Sequence, residues 1–175
     1  MTRSEIDLDA KLWTMARERV KNDVAHIVPL SDMAVKLLGA LPKIKSVEGF
    51  IFTTNGKTAI SGFSRTKEQL DEAIADIQAK AAKPGQKPKP VAPWVFHDLR
   101  RTMATNLARI GQPIHVVEAC LNHTSGTIRG VAKVYNRFDY AAEKRLALDA
   151  WARHLDSIIN GSASNIVTIA SVRRS

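Results

Sequence analysis

The run Phe96-His97-Asp98-Leu99-Arg100-Arg101-Thr102 constrains this chain more than any other stretch, because it carries two patterns at once. His97 and Arg100 stand three apart, so on a helix they project from one face. Leu99, Met103, Leu107 and Ile110 recur at helical period and predict an apolar stripe that packs inward. Gly111 then reads as the helix stop and Pro113 as the first turn of the next helix. That second helix, roughly Ile114 to Asn122, delivers His123 at its end, and Tyr135 follows.

A histidine, an arginine, a second histidine and a tyrosine, in that order, are the groups needed to hold a phosphodiester and attack it. Phosphoryl transfer asks for a positioned nucleophile and for cationic donors on the non-bridging oxygens. Arg100 can fork onto two oxygens, imidazoles can donate or shuttle protons, and a tyrosine can supply the nucleophile. Small Ala104 and Ala108 behind Arg100 would let DNA come close. Lys and Arg number 26 against 17 Asp and Glu, a net charge of +9 with a pI near 9.9. Such a balance favours a polyanionic partner without implying sequence specificity.

The segment Trp94 to Thr102, Leu121-Asn122-His123 and Gly130-Val131-Ala132-Lys133-Val134-Tyr135 together resemble the tyrosine recombinase family, specifically phage-type integrases. The resemblance runs from about Glu5 to Leu155. It implies an α+β fold, mainly α-helical, with a small antiparallel β-sheet near the N-terminus, over residues 1–160, followed by a tail at 161–175. It also implies strand cleavage and rejoining through a 3′-phosphotyrosyl intermediate. Tyr135 would be the nucleophile, and Arg100, His97 and His123 would hold the phosphoryl oxygens. Arg101, Lys133 and Arg137 are the expected DNA-contacting neighbours.

The N-terminal third extends the likeness. Leu12 to Val20 and Val24 to Leu30 read as two strands joined by the turn-forming Lys21-Asn22-Asp23. The family carries a catalytic lysine on such a hairpin, eight residues before the proline of a V-P-L ending. Lys21 holds that place relative to Val28-Pro29-Leu30, which implies a general acid for the leaving 5′-hydroxyl. One departure matters. The family has another arginine in an R-x-x-E helix shortly before the first strands, and Ser4-Glu5-Ile6-Asp7-Leu8 resembles the segment just after it. Arg3 lacks the glutamate three residues on. The resemblance therefore implies an N-terminally truncated catalytic domain, weak or inactive alone.

Each candidate has a plainer reading. His97 could cap its helix, His123 could cap a helix C-terminus, and Lys21 could be a solvated turn residue. Tyr140 competes with Tyr135 but reads as a packing residue opening the last helix. His26, His115 and His154 look structural or solvent-facing. Cys120 reads as a small apolar filler beside Val117 and Leu121 rather than a thiol nucleophile. A different class of function also fits Arg101 to His123, since helix, Gly-centred turn and helix is the pattern of a helix-turn-helix regulator. A non-catalytic DNA-binding remnant is the related alternative.

The rest is organisational. Ser31 is expected to cap a helix with Val35, Leu37, Leu38 and Leu41. Phe50-Ile51-Phe52 predicts a short buried strand closed by an Asn55-Gly56 turn. Thr66 with Gln69 predicts a capping box opening a helix with Leu70, Ile74, Ile77 and Ala81 on one stripe. The run Lys83 to Pro90 is expected to lack regular structure and to be a solvated loop or a phosphate-backbone contact. Ala141 to Ile159 predicts a helix with Leu148, Trp151, Leu155 and Ile158 on one stripe, packing on its own core or on a neighbouring protomer. Ile166-Val167-Thr168-Ile169 in the tail carries no assignable chemistry. A single cysteine and no paired ligand spacing argue against a disulfide framework, a metal or a cofactor. The absence of a membrane-length apolar run or signal peptide points to a cytoplasmic protein. The expected partners are double-stranded DNA and further copies of the chain on it, with no membrane and no small-molecule substrate.

Overall fold

The computed structural model describes residues 1–21, 23–83, 85–88, 90–123 and 139–161. Two compact units are resolved: Met1–Ala59 with the chain from Met103 onward, and Ile60–Thr102. About half of the described residues are helical, and one small antiparallel sheet lies in the first unit. No helix among the described residues is long and apolar enough to cross a membrane.

The first unit begins with β1 (Ile6–Asp7), β2 (Leu12–Met15) and β3 (His26–Pro29), antiparallel in the order β1-β2-β3. Trp13 pairs with Ile6 on one side and with Val28 on the other. The turn between β1 and β2 is closed by the Asp7 carboxylate, which accepts from the Ala10 N–H at 2.7 Å, and by Lys11 at φ 53°. Both expected strands are shorter than their sequence reading. After Met15 the charged run Arg17-Glu18-Arg19 breaks the alternation of faces and turns into a 3-10 segment, Arg17–Arg19. The Arg19 N–H bonds to the Ala16 carbonyl, and the Arg19 guanidinium pairs with Glu5.

Helix α1 (Asp32–Ala40) starts where expected, with Ser31 Oγ accepting from the Ala34 N–H at 3.3 Å. The Phe50-Ile51-Phe52 strand is not formed. Only Phe50 bridges, to Thr2, and Phe52 is exposed. An apolar run without a partner strand beyond one bridge cannot satisfy a ladder. The following turn is as expected: Asn55 Oδ1 accepts from the Lys57 and Thr58 N–H groups. Gly56, at φ +71°, lies so close to the Lys45 carbonyl that an added Cβ would sit 2.1 Å from its oxygen.

The second unit holds α2 (Phe63–Ala81) and the start of α3 (Phe96–Arg109). Helix α2 opens three residues before the expected capping box, behind Gly62 at φ +77°. Thr66 Oγ1 instead donates to the Gly62 carbonyl, so it lies inside the first turn. Its predicted stripe is helical but not buried, since Leu70 and Ile77 face solvent. Between α2 and α3 no helix or strand forms among the described residues, in keeping with the Pro-Lys composition.

Helices α3, α4 (Ile114–Cys120) and α5 (Ala141–Asn160) supply the core of the first unit. Leu107, Val116, Val117, Leu121 and Ala147 form a buried cluster, with Met103, Ala104, Ile110, Cys120 and Trp151 packed around it. Leu107 is wholly buried, whereas Leu99 is exposed, so the inward stripe starts one turn later than the sequence pattern suggests. Ala104 also faces this core, so only Ala108 of the two small residues is exposed.

The α5 stripe differs as well. Lys144, Ala147 and Ala150 are buried, while Ile158 is 65% exposed. Small alanines let α5 approach closely, while Trp151 packs against the core cluster and Leu148 and Leu155 are half-buried on the same face. The Lys144 ammonium donates to the Ile27 carbonyl at 2.9 Å, and Arg145 donates to the Ala10 carbonyl at 3.1 Å. A buried cation without an acceptor would be costly. Here a β3 carbonyl supplies it. Helix α5 stops at Gly161, φ +64°, a left-handed backbone that glycine takes without strain.

Candidate active site

Two of the candidate residues, His97 and Arg100, stand at the opening of α3. Residue Asp98, rather than His97, closes this helix end: its carboxylate accepts from the Val95 N–H at 2.9 Å, while its own N–H donates to the Val95 carbonyl at 2.8 Å. This reciprocal pairing satisfies donors that an α-helix leaves open at its start. The same carboxylate accepts from Arg101 Nη1 at 2.8 Å. The Val95 N–H first, and then the Arg101 guanidinium, hold the Asp98 carboxyl below the usual carboxylate range. His97 and Arg100 are both exposed and share a helix face, as the H-x-x-R spacing predicts. Arg101 is exposed too, and pairs with Asp98.

A third, His123, stands at the end of the α3–α4 hairpin. Gly111, at φ +88°, donates to the Ala108 carbonyl, and Gln112 donates to the Leu107 carbonyl. That pair of bonds around a left-handed residue is a Schellman closure. Helix α4 ends the same way. Asn122, at φ +52°, donates to the Ala119 carbonyl, and His123 donates to the Glu118 carbonyl at 3.0 Å. His123 is therefore held by its own backbone, immediately after a left-handed asparagine, with an exposed side chain. The helix stops at Cys120, slightly before the expected Asn122, because this closure draws the last residues out of helical conformation.

Lys21 follows the Arg17–Arg19 turn and is exposed. His97 and Arg100 belong to the Ile60–Thr102 unit, and Lys21 and His123 to the other. Tyr135, Lys133 and Arg137 lie outside the described residues. Tyr140 lies within them. It is the left-handed residue before α5, at φ +52°; its carbonyl accepts from the Lys144 N–H at 2.8 Å, and its ring lies 5.2 Å from His115. These contacts make Tyr140 a packing and end-of-helix residue. Burial pushes the Cys120 thiol up to about 11, the nearby Lys144 only partly offsetting it, which suits a filler and not a nucleophile. No cluster of three metal-ligating side chains occurs among the described residues.

Asp98, Asn122 and Lys144 were not singled out from the sequence. Asp98 had a local signal, an acidic residue three positions after Val95 at a helix start. Asn122 had another, since asparagine tolerates left-handed backbone. Lys144 had none, because its acceptor lies on a distant strand.

The sequence model of the phage integrase family matches residues 1–141. The chain belongs to the phage integrase family. This integrase-family chain is 29% identical over 158 residues to prophage integrase IntA of Escherichia coli (strain K12), an overlap covering 90% of the chain and 34% of that relative. It is 25% identical to prophage integrase IntS of the same strain and 24% identical to the integrase of Shigella phage Sf6. Those two overlaps each cover 86% of the chain and 35% of the relative. The chain thus spans about a third of the length of these relatives. No solved structure matches it significantly.

Proposed function

We propose that this integrase-family chain carries the strand-cleaving residues of a site-specific DNA recombinase. The observation that carries the reading is the exposed His97–Arg100 face at the capped start of α3, in a chain of this family. Tyr135 attacks a DNA phosphodiester, forming a 3′-phosphotyrosyl bond and releasing a 5′-hydroxyl. Arg100 forks onto the non-bridging oxygens, and His97 and His123 donate to the charge that develops there. Lys21 protonates the leaving oxygen. Attack by a 5′-hydroxyl on the phosphotyrosine reverses the step, so the bond's free energy is retained without a nucleotide cofactor.

The set proposed within residues 1–175 holds one arginine. A preorganised donor aimed at a developing oxyanion is typically worth about 10²- to 10³-fold in rate, so cleavage by these residues by themselves is expected to be weak. Double-stranded DNA is the partner, and copies of the chain assemble on it.

The test is an adduct that resists detergent, formed between the chain and a pool of nicked duplexes and read by gel. Tyr135→Phe is expected to abolish it and Tyr140→Phe to preserve it. An adduct that survives Tyr135→Phe refutes the nucleophile. DNA binding with no adduct from the parent chain leaves a non-catalytic binder.

A further inference from the structure

The segment from Ala82 to Val95 joins α2 to α3 without regular structure among its described residues. Such a connector cannot by itself dictate where the first turn of α3 lies. His97 and Arg100 are exposed, so core packing does not place them either. The backbone of that turn sets where both side chains start from. What holds the turn is therefore a question about catalysis, if the function proposed above holds.

A stripe on α2 answers it. Phe63, Lys67 and Asp71 stand four residues apart and so share one helix face. Trp94, just ahead of α3, donates its indole N–H to Asp71 Oδ1 at 3.1 Å. The Lys67 ammonium lies 4.2 Å from the centre of the Trp94 ring and pairs with the other Asp71 oxygen. Lys67 keeps only 18% of its side chain exposed, which marks it as packed under the indole. Phe96, the first residue of α3, sets its ring edge-on to Trp94 (5.8 Å, 83°) and to Phe63 (6.0 Å, 75°). Both Asp71 oxygens are thus engaged by this one cluster, to Trp94 and to Lys67. All of it lies inside the Ile60–Thr102 unit.

We propose that Trp94, Asp71 and Lys67 form a latch that pins the first turn of α3 to α2 and so sets the presentation of His97 and Arg100 to a DNA phosphate. They are positioning residues and touch no substrate. The inference rests on the function proposed above, and its two halves are separable by experiment.

Three variants of the full chain dissect the latch. Trp94→Phe keeps a ring but removes the N–H donor. Asp71→Ala removes both acceptors. Asp71→Asn keeps the Oδ1 acceptor for Trp94 while losing the charge, and an ion pair this near the surface contributes little. Amide hydrogen exchange, which needs no DNA, is expected to rise about tenfold over residues 95–102 in Trp94→Phe and Asp71→Ala, as a local opening. Exchange over 107–121 stays as in the parent, which confirms that the variants fold. The rate of adduct formation on one nicked duplex falls about tenfold while the DNA Kd stays within about twofold, because misplacing reacting groups costs rate more than affinity. Asp71→Asn is expected to restore most of both readouts.

Parent-like exchange over 95–102 in both disruptive variants overturns the latch. Raised exchange with an unchanged adduct rate overturns its role in presenting the site. Arg100→Ala is the reference: an adduct rate unaffected by it sinks the functional reading. Exchange over 95–102 then still upholds or overturns the latch.

Discussion

Cys120 shows how burial alone can silence a reactive group. It sits beside the Leu107–Val117–Leu121 cluster, and its thiol is pushed up to about 11 from an ordinary value near 9 by loss of solvent. At pH 8 the folded chain is expected to react with an aromatic disulfide reagent about 100-fold more slowly than the unfolded chain, since two pH units separate their thiolate fractions. Stability carries the same signature. Above pH 9 the unfolded thiol loses its proton while the folded one keeps it. Stability then falls with rising pH, by at most roughly 1.4 kcal/mol per unit, until the folded thiol also ionises near 11. Urea titrations from pH 8 to 11 on the parent and on Cys120→Ala check this. The extra slope is expected to vanish in the variant.

The α3–α4 hairpin is punctuated by two left-handed residues, Gly111 and Asn122, and only one of them is a glycine. Asn122→Gly is expected to change stability by a few tenths of a kcal/mol at most, since glycine takes this backbone freely. Asn122→Val should cost about 2 kcal/mol, because a β-branched side chain strains a left-handed backbone. It also displaces His123, whose N–H depends on the closure. Thermal melts read the first effect, and adduct yield reads the second.

These elements also mark where sequence reading succeeded. The α3 stop at Gly111, the Ser31 cap and the Asn55-Gly56 turn rest on local backbone chemistry, which acts wherever the chain goes; Pro113, expected in the first turn of α4, is its N-cap instead. Leu12 to Val20 was read too long because the Arg19–Glu5 pair, a tertiary contact, competes with strand pairing. Phe50 to Phe52 failed because an apolar run does not say whether a partner strand exists. The α5 stripe is legible at Leu148, Trp151 and Leu155, which are half-buried, but its most buried residues are alanines and a lysine, and Ile158 is exposed. In the site, the H-x-x-R face was legible from spacing. Its support was not, since Trp94 and Asp71 are far apart in sequence.

The chain as a whole carries a net charge of +9. Binding to duplex DNA is therefore expected to weaken steeply with salt, the logarithm of affinity falling by about 0.9 per phosphate contacted for each decade of salt. Arg100→Ala should flatten that dependence by about one contact. Arg101→Ala should flatten it less, because its guanidinium is already shared with Asp98. A fluorescence titration from 50 to 300 mM salt, on the order of the usual working range, distinguishes the two. An equal loss of slope for both would mean that the tether to Asp98 opens on DNA.

Lys144 and Arg145 join α5 to the sheet side of the molecule through the carbonyls of Ile27 and Ala10. A carbonyl belongs to every amino acid. Whatever residue replaces Ile27 or Ala10 still presents the same oxygen, provided the backbone keeps its path. The two partners in each contact therefore face unequal risk from random substitution: the strand and turn positions are free to drift, whereas at 144 or 145 a change to a side chain without a long donor removes the link.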